Sequence, residues 1–355
     1  MLANRRPFTA LIVCLSLGVV AVAPVGADGK LNGDRSAAGG FHILKTFNVG
    51  GDGFWDYLTM DSNARRLYIS RGTRVMVLDA DSGEVKGEIA DTKGVHGIAL
   101  APSHGRGFTS NGGDSTVTIF DLKTLAVQNK VKVGNHPDAI IYDPGSDRVF
   151  TFNAQSEDAT AVDAGTGNVA GTVPLGGKPE FAAADGKGMV FVNIEDKSEV
   201  VAFDSKKLAV NARWPIAPGE SASGLSIDAA HGRLFIGCHN QKMIVMDTTS
   251  GKVLADLPIG RGVDATAFDP GTGLAFSSNG DGTLTIVHED SPNKFSLLEN
   301  ATTAAGARTM AVDLKTHNVL LVSAKFGPAP APTADHPHPR PPMVPGSFFV
   351  IVVGK

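Results

Sequence analysis

The chain has 355 residues, a formal net charge of -4, 42 glycines, 2 cysteines and only 6% aromatic residues. Abundant glycine beside an ordinary apolar content fits small strands joined by tight turns, and excludes a disordered chain or a helical bundle. The mild acidity, without any Lys/Arg block, leaves no electrostatic reason for nucleic acid as the main partner.

In chain order, residues 1–27 read as a signal peptide. Arg5 and Arg6 form a positive start, Ala10 to Val22 an apolar core too short to span a bilayer, and Val25-Gly26-Ala27 a small-residue cleavage site. Arg5-Arg6-Pro7-Phe8 also resembles the twin-arginine export motif, so a Sec and a twin-arginine route both stand open. After processing, Cys238 is the only cysteine and no internal disulfide can form. The expected product is a periplasmic or secreted monomer with no membrane span once the leader is removed. Residues 28–40 are expected to form a polar, flexible lead-in.

Phe41 to Val49 alternates apolar residues as a strand with one buried face does, but no partner strand precedes it. Further on, Val131 to Val173 reads as a four-strand unit. Ala139–Tyr142 and Arg148–Phe152 are separated by Asp143-Pro144-Gly145-Ser146, and Thr160–Asp163 is turned by Ala164-Gly165-Thr166-Gly167 into Asn168–Val173. The pattern recurs at roughly 40 to 45 residues, the period of four-stranded propeller blades. First strands are expected to begin at Asp56, Gly97, Asp138, Glu180, Gly224, Asp264 and Thr309. Third strands close on Asp79, Asp121, Asp163, Asp204 and Asp247, with His288 in that place in the sixth unit.

The seventh unit lacks a fourth strand, and Phe41 to Val49 supplies one. Pairing the two ends removes an open sheet edge, so residues 41–355 are predicted to form one all-β, seven-bladed propeller of four-stranded blades, closed by the N-terminal strand. Residues 326–346 interrupt the seventh unit with eight prolines, which favour a stiff extended conformation.

Phe108-Thr109-Ser110-Asn111, Phe150-Thr151-Phe152-Asn153 and Phe276-Ser277-Ser278-Asn279 resemble the YVTN-type propeller repeat. Val133-Gly134-Asn135-His136-Pro137-Asp138 and Leu175-Gly176-Gly177-Lys178-Pro179-Glu180 are similar to that family's inter-blade linker. The nearest relatives implied are YncE-like exported proteins. That likeness marks a fold and carries no activity with it.

Blade geometry places the linkers and the loops between second and third strands on one face, around the central channel. The linkers contribute Trp55, Asp56, His96, His136, Asp138, Glu180, Asp264 and Arg308 to the channel mouth. The loops would add Arg71, Asn111, Asn153, Asn193, Glu195, His239 and Asn279. Four carboxylates, two imidazoles and several amides form a funnel suited to a small polar ligand or a divalent cation, with His96, His136, Asp138 and Glu180 as metal candidates. A wet polar rim, which any propeller channel has, accounts for the same residues.

Three functions follow as expectations. The first is a binding or scaffold protein that recognises a small molecule or a protein partner in the cell envelope. The second is a metal-assisted hydrolase, similar in general plan to propeller lactonases, with a cation at the channel polarising a carbonyl. The third is a redox-associated subunit. The proline-rich insert is expected to rise from the mouth face as a lid or docking arm, with His336, His338 and Arg340 available to a ligand. Neither His336-Pro337-His338 nor Cys238-His239 offers enough ligands to close a metal site. Ser221-Ala222-Ser223-Gly224 is no nucleophile elbow, since no helix follows it.

Overall fold

The computed structural model describes residues 39–331 and 341–355. The leader, its cleavage site, most of the lead-in, and His336, His338 and Arg340 lie outside them.

The third unit shows why each repeat folds as it does. Its strands, Pro137–Asp143, Arg148–Asn153, Asp158–Asp163 and Val169–Pro174, pair antiparallel in chain order. Asp163 sets the last turn: its Oδ1 accepts the Thr166 N–H at 2.7 Å and the Thr166 hydroxyl at 2.8 Å, a local cap that ends the strand. Asp79, Asp121 and Asp247 hold equivalent turns through Ser82, Thr124 and Ser250, and Asp204 does so through backbone N–H groups. The first strand starts at Pro137 rather than Ala139, because Pro137 pairs with Asn153 across a bulge that precedes Ile140.

Seven such four-stranded sheets follow one another. Blades 1 to 7 begin at Leu58, Val95, Pro137, Pro179, Ala222, Val263 and Met310. Blade 7 is completed by His42–Asn48, which pairs antiparallel with Phe349–Gly354 and sets Thr46 opposite Ile351. The expected closure is therefore present. Phe41 extends it to blade 6: its N–H donates to Glu299 Oε1 at 2.8 Å, and its ring meets Phe276 edge to face at 5.9 Å.

The core is distributed among the seams. Each buried cluster joins two neighbouring blades: Phe108 with Val149, Phe150 with Val190, and Phe276 with Leu321 each span one seam. Second and third strands are sandwiched between neighbouring blades and are buried along most of their length, whereas the outer strands are mostly exposed or half-buried. Among the described residues, no helix is long and apolar enough to cross a membrane.

Blade 6 departs from the rule. Where the third strands of blades 1 to 5 stop at an aspartate, His288 lets Thr283–Ser291 run on, and Lys294–Thr302 returns beside it as an overhanging hairpin.

Candidate functional site

Strand register defines the mouth. Val95, Pro137, Pro179, Ala222 and Val263 pair with Asn111, Asn153, Ile194, Cys238 and Asn279, the last residues of their second strands. The next residue in each blade occupies one structural position: His96, Asp138, Glu180, Ser223 and Asp264. Asp56 takes this place in blade 1, where the N–H groups of Asp56 and Tyr57 donate to Ser70 Oγ at 3.1 and 3.0 Å. In blade 2, Gly97 N–H donates to Ser110 Oγ in the same manner. Arg308 takes the position in blade 7, its carbonyl accepting from Ser278 as that of Asp138 does from Ser110.

The mouth is thus a ring of seven: Asp56, His96, Asp138, Glu180, Ser223, Asp264 and Arg308. This corrects the expected starts in blades 2, 5 and 7, where Gly97, Gly224 and Thr309 stand one residue too late. The bulge after each ring residue breaks the alternation, so the start of the apolar run does not mark it. Ring carbonyls are held by the preceding blade. Asn193 Nδ2 donates to Ser223 O at 2.8 Å, and Ser223 Oγ donates to Asp264 O at 3.0 Å.

One residue deeper lie Tyr57, Gly97, Ala139, Phe181, Gly224, Ala265 and Thr309. Five are small and two are aromatic. Tyr57 of blade 1 and Phe181 of blade 4 stack across the channel at 4.6 Å, which plugs it below the ring. The Tyr57 hydroxyl is buried without a hydrogen-bond partner. Burial, then the charges of Asp138, Asp56, Glu180 and Asp264, hold its pKa well above the usual phenol value, so it stays a neutral donor.

The ring is short of positive charge. His96 Nδ1 lies 2.6 Å from Asp56 Oδ2 and 3.6 Å from Asp138 Oδ1, and its ring meets that of His136 at 5.5 Å. Burial disfavours the imidazolium, but the Asp56 hydrogen bond and the Asp138 charge outweigh it and raise the His96 pKa. Burial raises Asp138 despite His96. Burial, followed by the Asp138 charge, pushes Glu180 up to about 7, with Lys178 Nζ 2.7 Å away. Burial pushes Asp264 up to about 7 as well, although Arg308 Nε stands 3.8 Å from it. Glu195 behaves oppositely: His239 at 3.4 Å, together with Lys178, holds it down to about 2. Gly112 keeps space for the two imidazoles, since a Cβ there would lie 2.9 Å from His96 Nε2 and 3.3 Å from His136.

A cavity of about 660 Å³ opens beside the ring, lined by Asp56, His96 and Arg308 and walled by Phe54, Trp55, Phe326 and Pro341. Trp55 is backed by Phe348 at 5.2 Å, while Phe54 is exposed. Phe326 and Pro341 belong to the two ends of the proline-rich insert, joined where Gly327 N–H donates to Pro342 O at 2.8 Å. Both described ends of the insert therefore sit on the mouth face.

The loop residues expected at the mouth divide into two groups. His239 and Glu195 reach it. Asn111, Asn153 and Asn279 do not: all three are fully buried, each donating from Nδ2 to threonines of the third strand and accepting from Thr109, Thr151 or Ser277. They clamp the blade from within and leave the set of exposed site residues. Arg71 is also fully buried. Its Nη2 donates to Gly51 O at 3.2 Å and Asp52 O at 2.9 Å, and its guanidinium lies 3.7 Å over the Phe348 ring. Cys238 is buried in the seam of blades 4 and 5, where burial pushes its thiol up to about 12 and keeps it neutral. Ser223, Tyr57 and Phe181 are the site residues that sequence pattern missed. A serine in a strand and aromatic residues in an apolar run look like ordinary core, and only the register brings them to the channel.

Fold and site together define a seven-bladed β-propeller with an acidic, plugged channel mouth. Among solved structures, the chain is similar to a chain of Kuenenia stuttgartiensis hydrazine synthase, with TM-score 0.64 and 15% identity, over 75% of this chain and 91% of that one. It is also similar to a chain in the crystal structure of a mitotic checkpoint complex, with TM-score 0.70 and 13% identity, over 86% of this chain and 96% of that one. At such identities the likeness is one of fold alone. No protein-family model and no curated protein sequence matches the chain.

Proposed function

We propose that this chain is an exported propeller of the YVTN type that binds a small ligand at the channel mouth, one carrying a cationic group beside an apolar body. The observation that carries this reading is the adjacency of an acidic ring to an apolar wall. Asp56 and His96 belong both to the ring and to the cavity formed by Phe54, Trp55, Phe326 and Pro341. Buried carboxylates that outnumber their cations favour a ligand bringing positive charge. An ammonium near Asp56 and Asp138 would place its apolar part against Trp55, and the unpartnered Tyr57 hydroxyl oxygen would accept one of its hydrogen bonds from below. The cavity volume falls within the range of small-molecule sites, which favours a small ligand over a protein partner. The YVTN kinship draws on the Phe-Thr-Ser-Asn-like segments, which form equivalent second strands in blades 2, 3 and 6.

Benzylammonium serves as the probe. Calorimetric titration into the full chain at pH 8 is expected to show one saturable site, weakened about tenfold or more by Asp138→Asn, as for loss of a charged hydrogen-bonding partner. No saturable binding, or equal binding by the variant, overturns the reading.

A second reading rests on a different observation. One donor atom each from Asp56, His96 and Asp138 lies within 4.8 Å of the others, an arrangement able to hold a divalent cation. Such an ion would polarise a bound carbonyl, and the chain would then be a metal-assisted hydrolase of lactones. Activity on a panel of aliphatic lactones that chelator abolishes and Asp138→Asn removes would establish it. Its absence from metal-supplemented protein would dismiss it.

A further inference from the structure

Among the described residues, one other place brings three metal-ligating side chains together: Asp228, His231 and Glu289, at the seam of blades 5 and 6 on the face away from the mouth. Asp228 ends the first strand of blade 5 and His231 sits in the following turn. Glu289 comes from the overhanging hairpin of blade 6, one residue beyond His288. The hairpin is held over blade 5 from two sides. Arg233 Nε donates to Pro292 O at 2.5 Å and Nη2 to Asn293 Oδ1 at 3.2 Å, while Phe295 meets Phe235 at 6.0 Å. Glu289 N–H donates to Gly273 O, which fixes its backbone.

This places a carboxylate where it has no partner. The Glu289 side chain is only 3% exposed, and neither of its oxygens receives a hydrogen bond. His231 Nδ1 is 3.1 Å from Glu289 Oε1 without hydrogen-bonding geometry, and 2.5 Å from Asp228 Oδ2. Asp228 is 4% exposed, and its other oxygen accepts the Ala230 N–H at 2.9 Å. Arg233 could have neutralised the pair, but its remaining donor goes to Asp247 Oδ2 at 2.6 Å and Gly232 O at 2.9 Å. Two buried carboxyl groups and an imidazole thus converge with Arg233 engaged elsewhere, an arrangement that burial penalises unless a proton or a metal ion completes it.

We propose that Asp228, His231 and Glu289 bind one divalent transition-metal ion, of the Zn²⁺ or Mn²⁺ type, that ties blade 5 to blade 6. Two carboxylate oxygens and one imidazole nitrogen suit a cation of intermediate hardness. Neighbouring ligands in a tetrahedral zinc shell are roughly 3.3 Å apart. The three donor atoms, all within 4.8 Å of one another, reach that spacing by small side-chain rotations. His231 is half exposed, so water completes the shell from its side. The ion would replace the missing aspartate turn as the device that secures the end of this blade.

The test is titration of the chelator-stripped full chain with ZnCl₂, followed by calorimetry and thermal melting, and with CoCl₂, followed by visible absorption. Wild type is expected to bind one ion more than Glu289→Gln and His231→Ala, or to bind it at least about 100-fold more tightly, a larger loss than removal of a supporting residue brings. Zinc should raise the Tm of wild type more than that of either variant, and the visible Co²⁺ bands should vanish in His231→Ala. His231 lies at the surface, so this variant folds even where Glu289→Gln does not. Equal stoichiometry and affinity in wild type and His231→Ala overturns the proposal. So does zinc binding that is lost only in Asp138→Asn, which would put the ion at the mouth.

Discussion

Asp264 and Glu180 carry their protons to about pH 7 because burial penalises their charged forms. For Asp264 the sign follows from linkage. Below about pH 4, folded and unfolded chains both hold the proton and the group contributes nothing. Between there and pH 7 the unfolded chain releases it first, so stability falls as pH rises, and above pH 7 the full penalty remains. Asp264→Asn lacks the penalty. It is expected to be about 1–3 kcal/mol more stable than wild type at pH 8, and no more stable at pH 4, by urea denaturation at both values. A gain of equal size at both pH values would exclude a charge penalty as its cause. His96 acts in the same direction: its pKa is raised on folding, so its stabilisation is present below the ordinary imidazole range and lost as pH rises through the folded value. Binding of a cation at the mouth should accordingly strengthen as pH rises through 7. At this scale, residue type made the acids and His96 legible, since charged side chains at strand starts seldom serve a core. Asn111 had the same polarity and a contrary fate, because whether its amide faces solvent or Thr116 and Thr118 depends on the pairing of its strand.

The insert of blade 7 and the hairpin of blade 6 are the two elements that break the repeat, and each adds something at one end of the barrel. The insert leaves between Asn318–Ser323 and Phe349–Gly354, whose pairing does not involve it. Replacing residues 328–341 by two glycines keeps the bond between Gly327 and Pro342, and loops tolerate such changes at little thermodynamic cost. The Tm is expected to move by no more than about 3 °C, whereas benzylammonium affinity falls about eightfold for roughly 50 Å² of lost apolar contact at Pro341 and its neighbours. Unchanged affinity would make the insert a bystander to the cavity. The position of this insert was readable in the sequence, because its prolines interrupt a repeat of known strand order. The hairpin was readable only as an anomaly at His288. Its consequence depends on Arg233 and Phe235, which belong to another blade and lie far away in sequence.

Closure is a property of the whole ring. Seven seams each bury their own cluster, so the loss of any one blade contact exposes two apolar faces and an open sheet edge. The last seam depends on chain ends that meet in space: His42 pairs with Gly354, so the first and last strands form what amounts to a hairpin without its turn. This meeting was legible because a unit short of one strand and a strand without neighbours are complementary defects. The separation of the mouth from the opposite face was legible for the same reason, since strand direction alone assigns each loop to a side. A circular permutant tests the closure as such. Joining Lys355 to Gly39 through a short glycine turn, and opening the chain between the exposed Lys206 and Lys207, preserves every strand pair and moves the break into blade 4. The permutant is expected to melt in one transition within about 5 °C of the parent. By contrast, deleting residues 39–49 from the parent leaves Phe349–Gly354 as an apolar edge and removes Phe41 from Phe276, and that chain should aggregate on purification. A deletion variant that stayed monodisperse with the parent's Tm would show that blade 7 holds without its outer strand.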